Sequence, residues 1–132
     1  MIVLDTHVWG WWLSDPNVLP AKARTVVREA AANRAVYVSS ISTWEVALLA
    51  ARDRLTFTMD ARDWIARSEA LPFLHFVPVD NSIAIRSVRL PPPFHKDPAD
   101  RIIVATAMSM GVPIVSSDAR ILKYPHVKGI WK

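Results

Sequence analysis

The sequence predicts an α/β protein with a mainly parallel sheet that is covered by helices on both faces. Short apolar runs of strand length alternate with segments of helical spacing along the whole chain. Such alternation implies crossover connections, which bury both faces of a parallel sheet. With 132 residues and 52% hydrophobic content, the chain has enough apolar side chains for one core. We therefore expect a single domain over residues 1–132.

The first half of the chain is predicted to alternate strands with helices. Its strands are mostly apolar runs of four or five residues, the pattern of a buried strand. Its helices repeat apolar side chains every three or four positions, and Asp15-Pro16-Asn17 separates the first two. In chain order the elements are a strand at 1–4, a helix at 6–14, a helix opened by Pro20, a strand at 35–39 and a helix at 40–54.

The second half repeats the alternation and ends on a short strand. Asp60 is predicted to cap a fourth helix, and three consecutive prolines at 91–93 stiffen a later connection. Gly111 is the predicted C-cap of a long helix that begins at Pro98. The remaining elements are a strand at 74–79, a helix at 81–90, a strand at 112–116, a helical segment at 118–124 and a strand at 127–131.

Two carboxylates open the long helix, which is otherwise built for burial. Asp97 stands at its N-cap, Pro98 takes the first helical position and Asp100 the third. One acid is enough for capping, which contributes about 0.5–2 kcal/mol. The second acid indicates a site. We expect the residue before proline to turn its carboxylate onto the backbone N–H of Asp100, so that Asp97 positions Asp100.

Four acidic residues stand just after predicted strands or about one turn into a helix that follows a strand region. Because the carboxyl ends of parallel strands share one edge of a sheet, we expect these carboxylates to meet there. Each acid also has a structural alternative: Asp5 and Asp118 suit N-caps, and Ser42 with Glu45 has the spacing of a capping box. Recurrence at four equivalent places favours a common site. The four residues are Asp5, Glu45, Asp100 and Asp118.

The predicted carboxylate cluster requires a cation, because like charges packed closely repel one another. A cluster of oxygen ligands suits Mg²⁺ or Mn²⁺. The chain has no cysteine, and its histidines at 7, 75, 95 and 126 lack the spacing of a zinc site. We therefore expect Mg²⁺ or Mn²⁺ as the cofactor.

The overall charge is basic, with a formal net charge of +4. This balance permits a polyanionic partner without identifying one. No apolar run reaches membrane-spanning length, and no basic leader precedes an apolar region at the start of the chain. We therefore expect a cytoplasmic protein that does not bind membranes.

The four acids lie in short motifs, which are Leu4-Asp5-Thr6-His7, Ser40-Ile41-Ser42-Thr43-Trp44-Glu45, Asp97-Pro98-Ala99-Asp100-Arg101 and Val115-Ser116-Ser117-Asp118. In kind and in order they resemble the signatures of PIN-domain proteins, and they are most similar to those of the VapC toxins of VapBC toxin–antitoxin modules. The resemblance spans nearly the whole chain. It implies a three-layer α/β/α fold, Mg²⁺- or Mn²⁺-dependent endoribonuclease activity, inhibition by a cognate antitoxin, and a homodimer.

The resemblance also implies roles for individual residues. The acidic quartet of the family, which binds the metal and carries catalysis, corresponds to the four carboxylates named above. Thr6 and Ser116 match supporting polar positions, with Ser116 standing where threonine is more frequent. Residues from about 55 to 94 carry no family signature, which makes them the region where the choice of RNA could be encoded.

Basic and aromatic residues near the predicted site suggest where partners bind. Arg101, Lys96 and Arg86 are candidate contacts to the RNA backbone, although a solvated surface position would explain each of them as well. Trp11 lies with His7 on the side of its helix away from the core. An exposed Trp11 would suit an anchor for a dimer or an antitoxin, whereas a buried one would pack beneath a neighbouring helix.

Other functions fit parts of the sequence. An aspartyl-nucleophile phosphatase also has an acid after its first strand, but its usual second acid two residues later is here His7. A non-catalytic RNA- or protein-binding module would not require a buried acidic cluster. A dinucleotide-binding domain is excluded, because none of the three glycines forms a phosphate-cradling turn after the first strand. Metal-dependent cleavage of RNA by the pure protein separates these hypotheses.

Overall fold

A single parallel sheet forms the centre of the protein in the computed structural model, which describes residues 1–52 and 59–132. In chain order its strands are β1 (Ile2–Leu4), β2 (Val36–Ser39), β3 (Leu74–Val77), β4 (Ile114–Val115) and β5 (Gly129–Ile130). They lie side by side in the order β3-β2-β1-β4-β5. Val3 on the central strand pairs with Tyr37 on one side and with Ile114 on the other. The predicted parallel sheet is confirmed.

The helices fall between the strands in the predicted order. They are α1 (Thr6–Ser14), α2 (Ala21–Ala32), α3 (Ser40–Ala51), α4 (Ala61–Glu69), α5 (Asn81–Val88), α6 (Pro98–Met110) and α7 (Ala119–Leu122). The helix predicted over 40–54 is described as far as Ala51, and Arg54 lies outside the described residues. Gly111 ends α6 with φ 67°, the left-handed conformation expected of a glycine C-cap. Within the described ranges, no helix is long and apolar enough to cross a membrane.

Two apolar cores lie on opposite faces of the sheet. Alternate residues of each strand point to opposite faces, so Leu4 enters one core and its neighbour Val3 the other. The first core is filled from α1, α2 and α4, and Trp9 is its largest fully buried side chain. The second core is filled from α5, α6 and α7, with Ile103 completely buried at its centre. Helices on both faces confirm the three-layer α/β/α arrangement.

The tryptophans of α1 differ in their surroundings. Trp9 packs against Trp64 and Phe76, at ring-centroid distances of 4.7 Å and 5.5 Å. Trp11 is half-buried, and its ring lies 5.8 Å from that of His7 and 5.9 Å from that of Trp131. Trp11 therefore packs on neighbouring rings and does not stand out as the exposed anchor considered from the sequence.

The order of the strands creates a crevice at one edge of the sheet. From β1 the chain adds β2 and β3 on one side, and it then places β4 and β5 on the other side. The connections that leave the carboxyl ends of β1 and β4 therefore run in opposite directions. A topological switch of this kind is where α/β sheets bind their ligands. The residues that follow β1 and β4 are Asp5 and Ser116.

Candidate metal centre

Asp5 joins the two strands that border the crevice. Its Oδ1 accepts a hydrogen bond from the backbone N–H of Thr6 at 2.9 Å, and its Oδ2 accepts one from Ser116 Oγ at 2.7 Å. Ser116 is completely buried, and its hydroxyl oxygen also accepts the backbone N–H of Asp118 at 3.0 Å. The carboxylate after β1 is thus fixed in place by the residue after β4. The same serine shapes the turn that carries Asp118.

Thr6 connects Asp5 to the third helix. Its hydroxyl donates to Glu45 Oε1 at 2.5 Å, and it lies 2.8 Å from Ser42 Oγ. Because a hydroxyl has one proton to give, Ser42 must be the donor to Thr6. The structural alternative of a capping box at Ser42 and Glu45 is excluded, since Ser39 is the N-cap and accepts the N–H of Ile41 at 3.2 Å. Glu45 is turned toward Thr6 and the crevice.

The two acids that open α6 have different tasks. Asp97 has φ −57° and ψ 116°, outside helical geometry, and its Oδ1 accepts the backbone N–H of Asp100 at 3.0 Å. The predicted cap is confirmed. Asp100 is half-buried, and its Oδ2 lies 2.7 Å from Nε2 of His95. The cap leaves the Asp100 side chain available to the crevice.

Arg120 is the part of the site that the sequence analysis missed. Asp118 caps α7 by accepting the backbone N–H of Arg120 at 2.8 Å, and it also accepts that residue's Nε at 3.2 Å and Nη2 at 3.0 Å. The same Nη2 lies 3.6 Å from Asp100 Oδ2. The Arg120 side chain is 60% exposed, so it covers the acids from the solvent side. The sequence feature that could have identified Arg120 as part of the site is its position two residues after Asp118.

The buried acids of the cluster and its outer acid, Asp118, have pKa values that are shifted in opposite directions. Burial raises the pKa of Asp5, of Glu45 and of Asp100 above their usual ranges. The negative charge of Asp5 raises the pKa of both other buried acids further. Hydrogen bonds from the Arg120 side chain instead hold the pKa of Asp118 below its usual range. When ionised, the three buried carboxylates therefore repel one another unless a cation lies between them.

The donor set fits a hard divalent cation. Single donor atoms of His95, Asp100 and Asp118 lie within 4.8 Å of one another. Asp5 is linked to Asp118 through Ser116, and Glu45 accepts from Thr6 beside Asp5, so these two acids adjoin that group. Carboxylate oxygens are the ligands that Mg²⁺ and Mn²⁺ prefer, and a bound cation would offset the repulsion.

The three candidate RNA contacts occupy different places. Arg101 donates from its guanidinium to four backbone carbonyls before α6, which fixes its side chain, and its contact with RNA stays a prediction. Arg86 lines a cavity with Lys128 and residues 111–113, which lead into β5 and β4, at the edge of the sheet opposite the acids. Lys96 is exposed at the start of the segment that opens α6.

A parallel sheet with an acidic centre at its carboxyl edge, built from donors that suit a divalent cation, defines the class of this α/β protein. The sequence matches the PIN domain over residues 2–127, and the chain belongs to the PIN-domain family. It is 31% identical over 129 residues to Ribonuclease VapC22 of Mycobacterium tuberculosis, a match that covers 98% of this chain and 95% of the relative. The family resemblance predicted from the four motifs is confirmed.

Solved structures with the same fold include components of toxin–antitoxin complexes. VapBC2 from Rickettsia felis, bound to a DNA fragment from its promoter, matches with a TM-score of 0.73, 14% identity and full coverage of both chains. A toxin–antitoxin complex from Klebsiella pneumoniae matches with a TM-score of 0.62 and 20% identity, covering 96% of this chain and 95% of the other. At these identities the likeness establishes the three-layer fold.

Proposed function

We propose that this protein is a divalent-metal-dependent endoribonuclease and the toxin of a type II toxin–antitoxin pair. The observation that carries the proposal is the hydrogen-bonded group of acids at the carboxyl edge of the sheet, where Ser116 links Asp5 to Asp118 and Thr6 links Asp5 to Glu45. The likeness to Ribonuclease VapC22 supports RNA as the substrate. The fold shared with toxin–antitoxin complexes supports a protein antitoxin as the partner. The 132 residues then act as one nuclease domain in the cytoplasm, as a homodimer.

The metal is held by carboxylates from four segments of the chain. Mg²⁺ or Mn²⁺, when bound, polarises a phosphoryl oxygen and lowers the pKa of water. Ser116 and the backbone of Thr6 fix both oxygens of Asp5 before any cation arrives, so the ligand is already oriented. The ligands in this proposal are Asp5, Glu45, Asp100 and Asp118.

Glu45 has one oxygen committed to a hydrogen bond within the protein. Its Oε1 is held by Thr6, which fixes the direction of the remaining oxygen. Burial, followed by the neighbouring charges of Asp100 and Asp5, raises the pKa of Glu45 above its usual range in the metal-free protein. A bound cation would offset that cost, so the free oxygen of Glu45 is the one that we propose faces the metal.

The alternative functions receive less support from the site. A binding module would gain nothing from buried acids that repel both one another and RNA phosphates. An aspartyl-phosphatase nucleophile needs an accessible oxygen, whereas Asp5 is 8% exposed and both of its oxygens accept hydrogen bonds. Hydrolysis assisted by a cation uses the same acids without requiring one of them to be a nucleophile.

Removal of divalent metal tests the proposed function directly. Protein treated with a chelator and dialysed should lose RNA cleavage by more than about 100-fold, because its ligand shell alone neither activates water nor neutralises phosphate charge. Adding Mg²⁺ or Mn²⁺ should restore cleavage of a labelled RNA. Asp100→Asn protein purified in parallel controls for contaminating nucleases. Full activity of the metal-stripped protein would contradict the proposal.

Arg120 is expected to compete with the metal and to help hold RNA. In Arg120→Ala the Mn²⁺ affinity should rise by about two- to fivefold, the scale of one exposed ion pair. The KM for RNA should also rise, and its dependence on salt should weaken by about one phosphate contact. Arg86→Ala, which removes the same charge at the opposite edge of the sheet, is the matched control. Equal effects of the two variants would show that net charge alone matters.

A further inference from the structure

His95 lies in the segment between the prolines at 91–93 and α6, and it touches one acid of the cluster. Its Nε2 is 2.7 Å from Asp100 Oδ2, and the two side chains are 18% and 15% exposed. Its Nδ1 is buried and has no hydrogen-bond partner among the residues that the structure describes. Among the described residues, His95 therefore forms a side-chain hydrogen bond through Nε2 and not through Nδ1.

The surroundings of the two ring nitrogens define the tautomer. An ionised Asp100 only accepts hydrogen bonds, so the proton between the two residues sits on Nε2 of His95. A proton on Nδ1 would be a buried donor without an acceptor among the described residues, which is unfavourable. Both arguments give the Nε2–H form of the imidazole, which donates to Asp100.

The segment that carries His95 is tied to the helix that carries Asp100. Arg101, the next residue of α6, donates from Nη1 to the carbonyls of Phe94 and His95 at 3.2 Å and 3.1 Å. Its Nε and Nη2 donate to the carbonyls of Ser87 and Val88 at the end of α5. The backbone of His95 is thereby fixed relative to Asp100.

The ring of His95 is also held from its face. Phe94 packs against it with a centroid distance of 4.3 Å, and Phe94 in turn packs on Tyr124 at 4.8 Å. Tyr124 donates its hydroxyl to the carbonyl of Pro91 at 2.6 Å, so both ends of the short segment are anchored. An imidazole held by this many contacts presents Nε2 in one direction.

We infer that His95 is a positioning residue, which orients Asp100 for the cation by donating from Nε2 to Oδ2, and that Arg101 fixes the segment bearing it. The inference rests on the proposed function. The hydrogen bond sets the rotation of the Asp100 carboxyl group and leaves Oδ1 for the metal. The same Oδ2 also pairs with Arg120 Nη2 at 3.6 Å, so both partners of Asp100 act on that oxygen. Partners that orient a metal ligand in this way typically contribute 10- to 100-fold in metal affinity or activity.

Two substitutions at His95 separate positioning from other roles. Leucine removes the donor, whereas the amide nitrogen of glutamine reaches the place of Nε2 and can donate in its stead. We expect His95→Leu to weaken Mn²⁺ binding by about 10- to 100-fold, and to lower kcat with little change in the KM for RNA. His95→Gln should recover most of both losses. His126→Leu, at an exposed histidine, should behave as the unsubstituted protein.

Titration of free Mn²⁺ by electron paramagnetic resonance measures the affinity without using activity. Wild-type binding in His95→Leu would overturn the inference while leaving the proposed function intact. Equal losses in the leucine and glutamine variants would also overturn it, because they would make the imidazole itself the ligand. If the unsubstituted protein binds no Mn²⁺ and cleaves RNA without it, the proposed function fails first.

The tautomer offers a test that needs no variant. Long-range ¹⁵N–¹H spectra of the unsubstituted protein should show the His95 proton on Nε2, both without metal and with saturating Mg²⁺. A proton that moves to Nδ1 when Mg²⁺ is added would show that Nε2 binds the cation, and it would overturn the positioning role. This readout stands even where His95→Leu fails to fold.

Discussion

Asp5→Asn should abolish metal-dependent RNA cleavage and, in the metal-free protein at neutral pH, raise the melting temperature. The loss of cleavage should exceed about 100-fold, since the variant removes a charged ligand and not merely its orienting partner. The gain in stability follows from the burial that raises the pKa of Asp5, because an ionised carboxylate is held there at a cost. Asparagine keeps an oxygen acceptor for the backbone N–H of Thr6, so the cap of α1 survives.

The stability gain from Asp5→Asn has a defined dependence on pH. The pKa of Asp5 in the folded protein lies above its unfolded value of about 3.9. Below that value both states are protonated, and the carboxyl and the amide differ little. As the pH rises, the unfolded chain ionises first, and the original protein loses stability until the folded carboxyl group has also ionised. The advantage of Asp5→Asn should therefore be absent at strongly acidic pH and grow as the pH rises above the unfolded pKa of Asp5.

Saturating Mg²⁺ should reverse the order of the two melting temperatures. Binding at a concentration of about 100 times Kd stabilises the folded state by about 2.7 kcal/mol, and the variant loses most of that gain. Thermal melts across pH, with and without Mg²⁺, measure both effects. Asp80→Asn is a matched control, because Asp80 caps α5 through the N–H of Ile83. Destabilisation of the metal-free protein by Asp5→Asn at neutral pH would show that the acid is required for folding.

The fold was predictable because its signals are local. Alternation of short apolar runs with helical spacing identifies a covered parallel sheet, and the position after a parallel strand lies at the same edge in every strand. Asp5 could thus be assigned to the ligand edge before any contact was known. The cap by Asp97 was equally predictable, because a residue before proline is excluded from helical geometry.

The contacts between segments were not predictable from spacing. Ser42 and Glu45 have the sequence of a capping box, yet the helix begins at Ser40 as predicted, and Ser42 and Glu45 both contact Thr6. Arg101 was considered only as an RNA contact, and the sequence did not indicate that its guanidinium donates to four backbone carbonyls before α6. A long side chain such as that of arginine can contact several segments of the chain. The local sequence does not determine which of these segments the fold brings next to it.

The two acids at the start of α6 should differ sharply when each is changed to asparagine. Asp97→Asn should retain measurable RNA cleavage, because asparagine caps a helix about as well as aspartate and can still accept the N–H of Asp100. Asp100→Asn should lose cleavage by more than about 100-fold with no loss of stability. Burial raises the pKa of Asp100, so removing its charge relieves the metal-free fold.

The pair of variants also locates the start of the helix. In Asp100→Asn the side-chain oxygen can still accept from Nε2 of His95, so the segment stays in place and only the ligand charge is lost. Asp97→Ala separates capping from charge, since it should destabilise the protein by about 1 kcal/mol. Cleavage rates under excess Mn²⁺, measured beside melting temperatures, rank the two positions. The opposite ranking, with Asp97→Asn inactive and Asp100→Asn active, would make Asp97 the ligand and place the cap of α6 further along the chain.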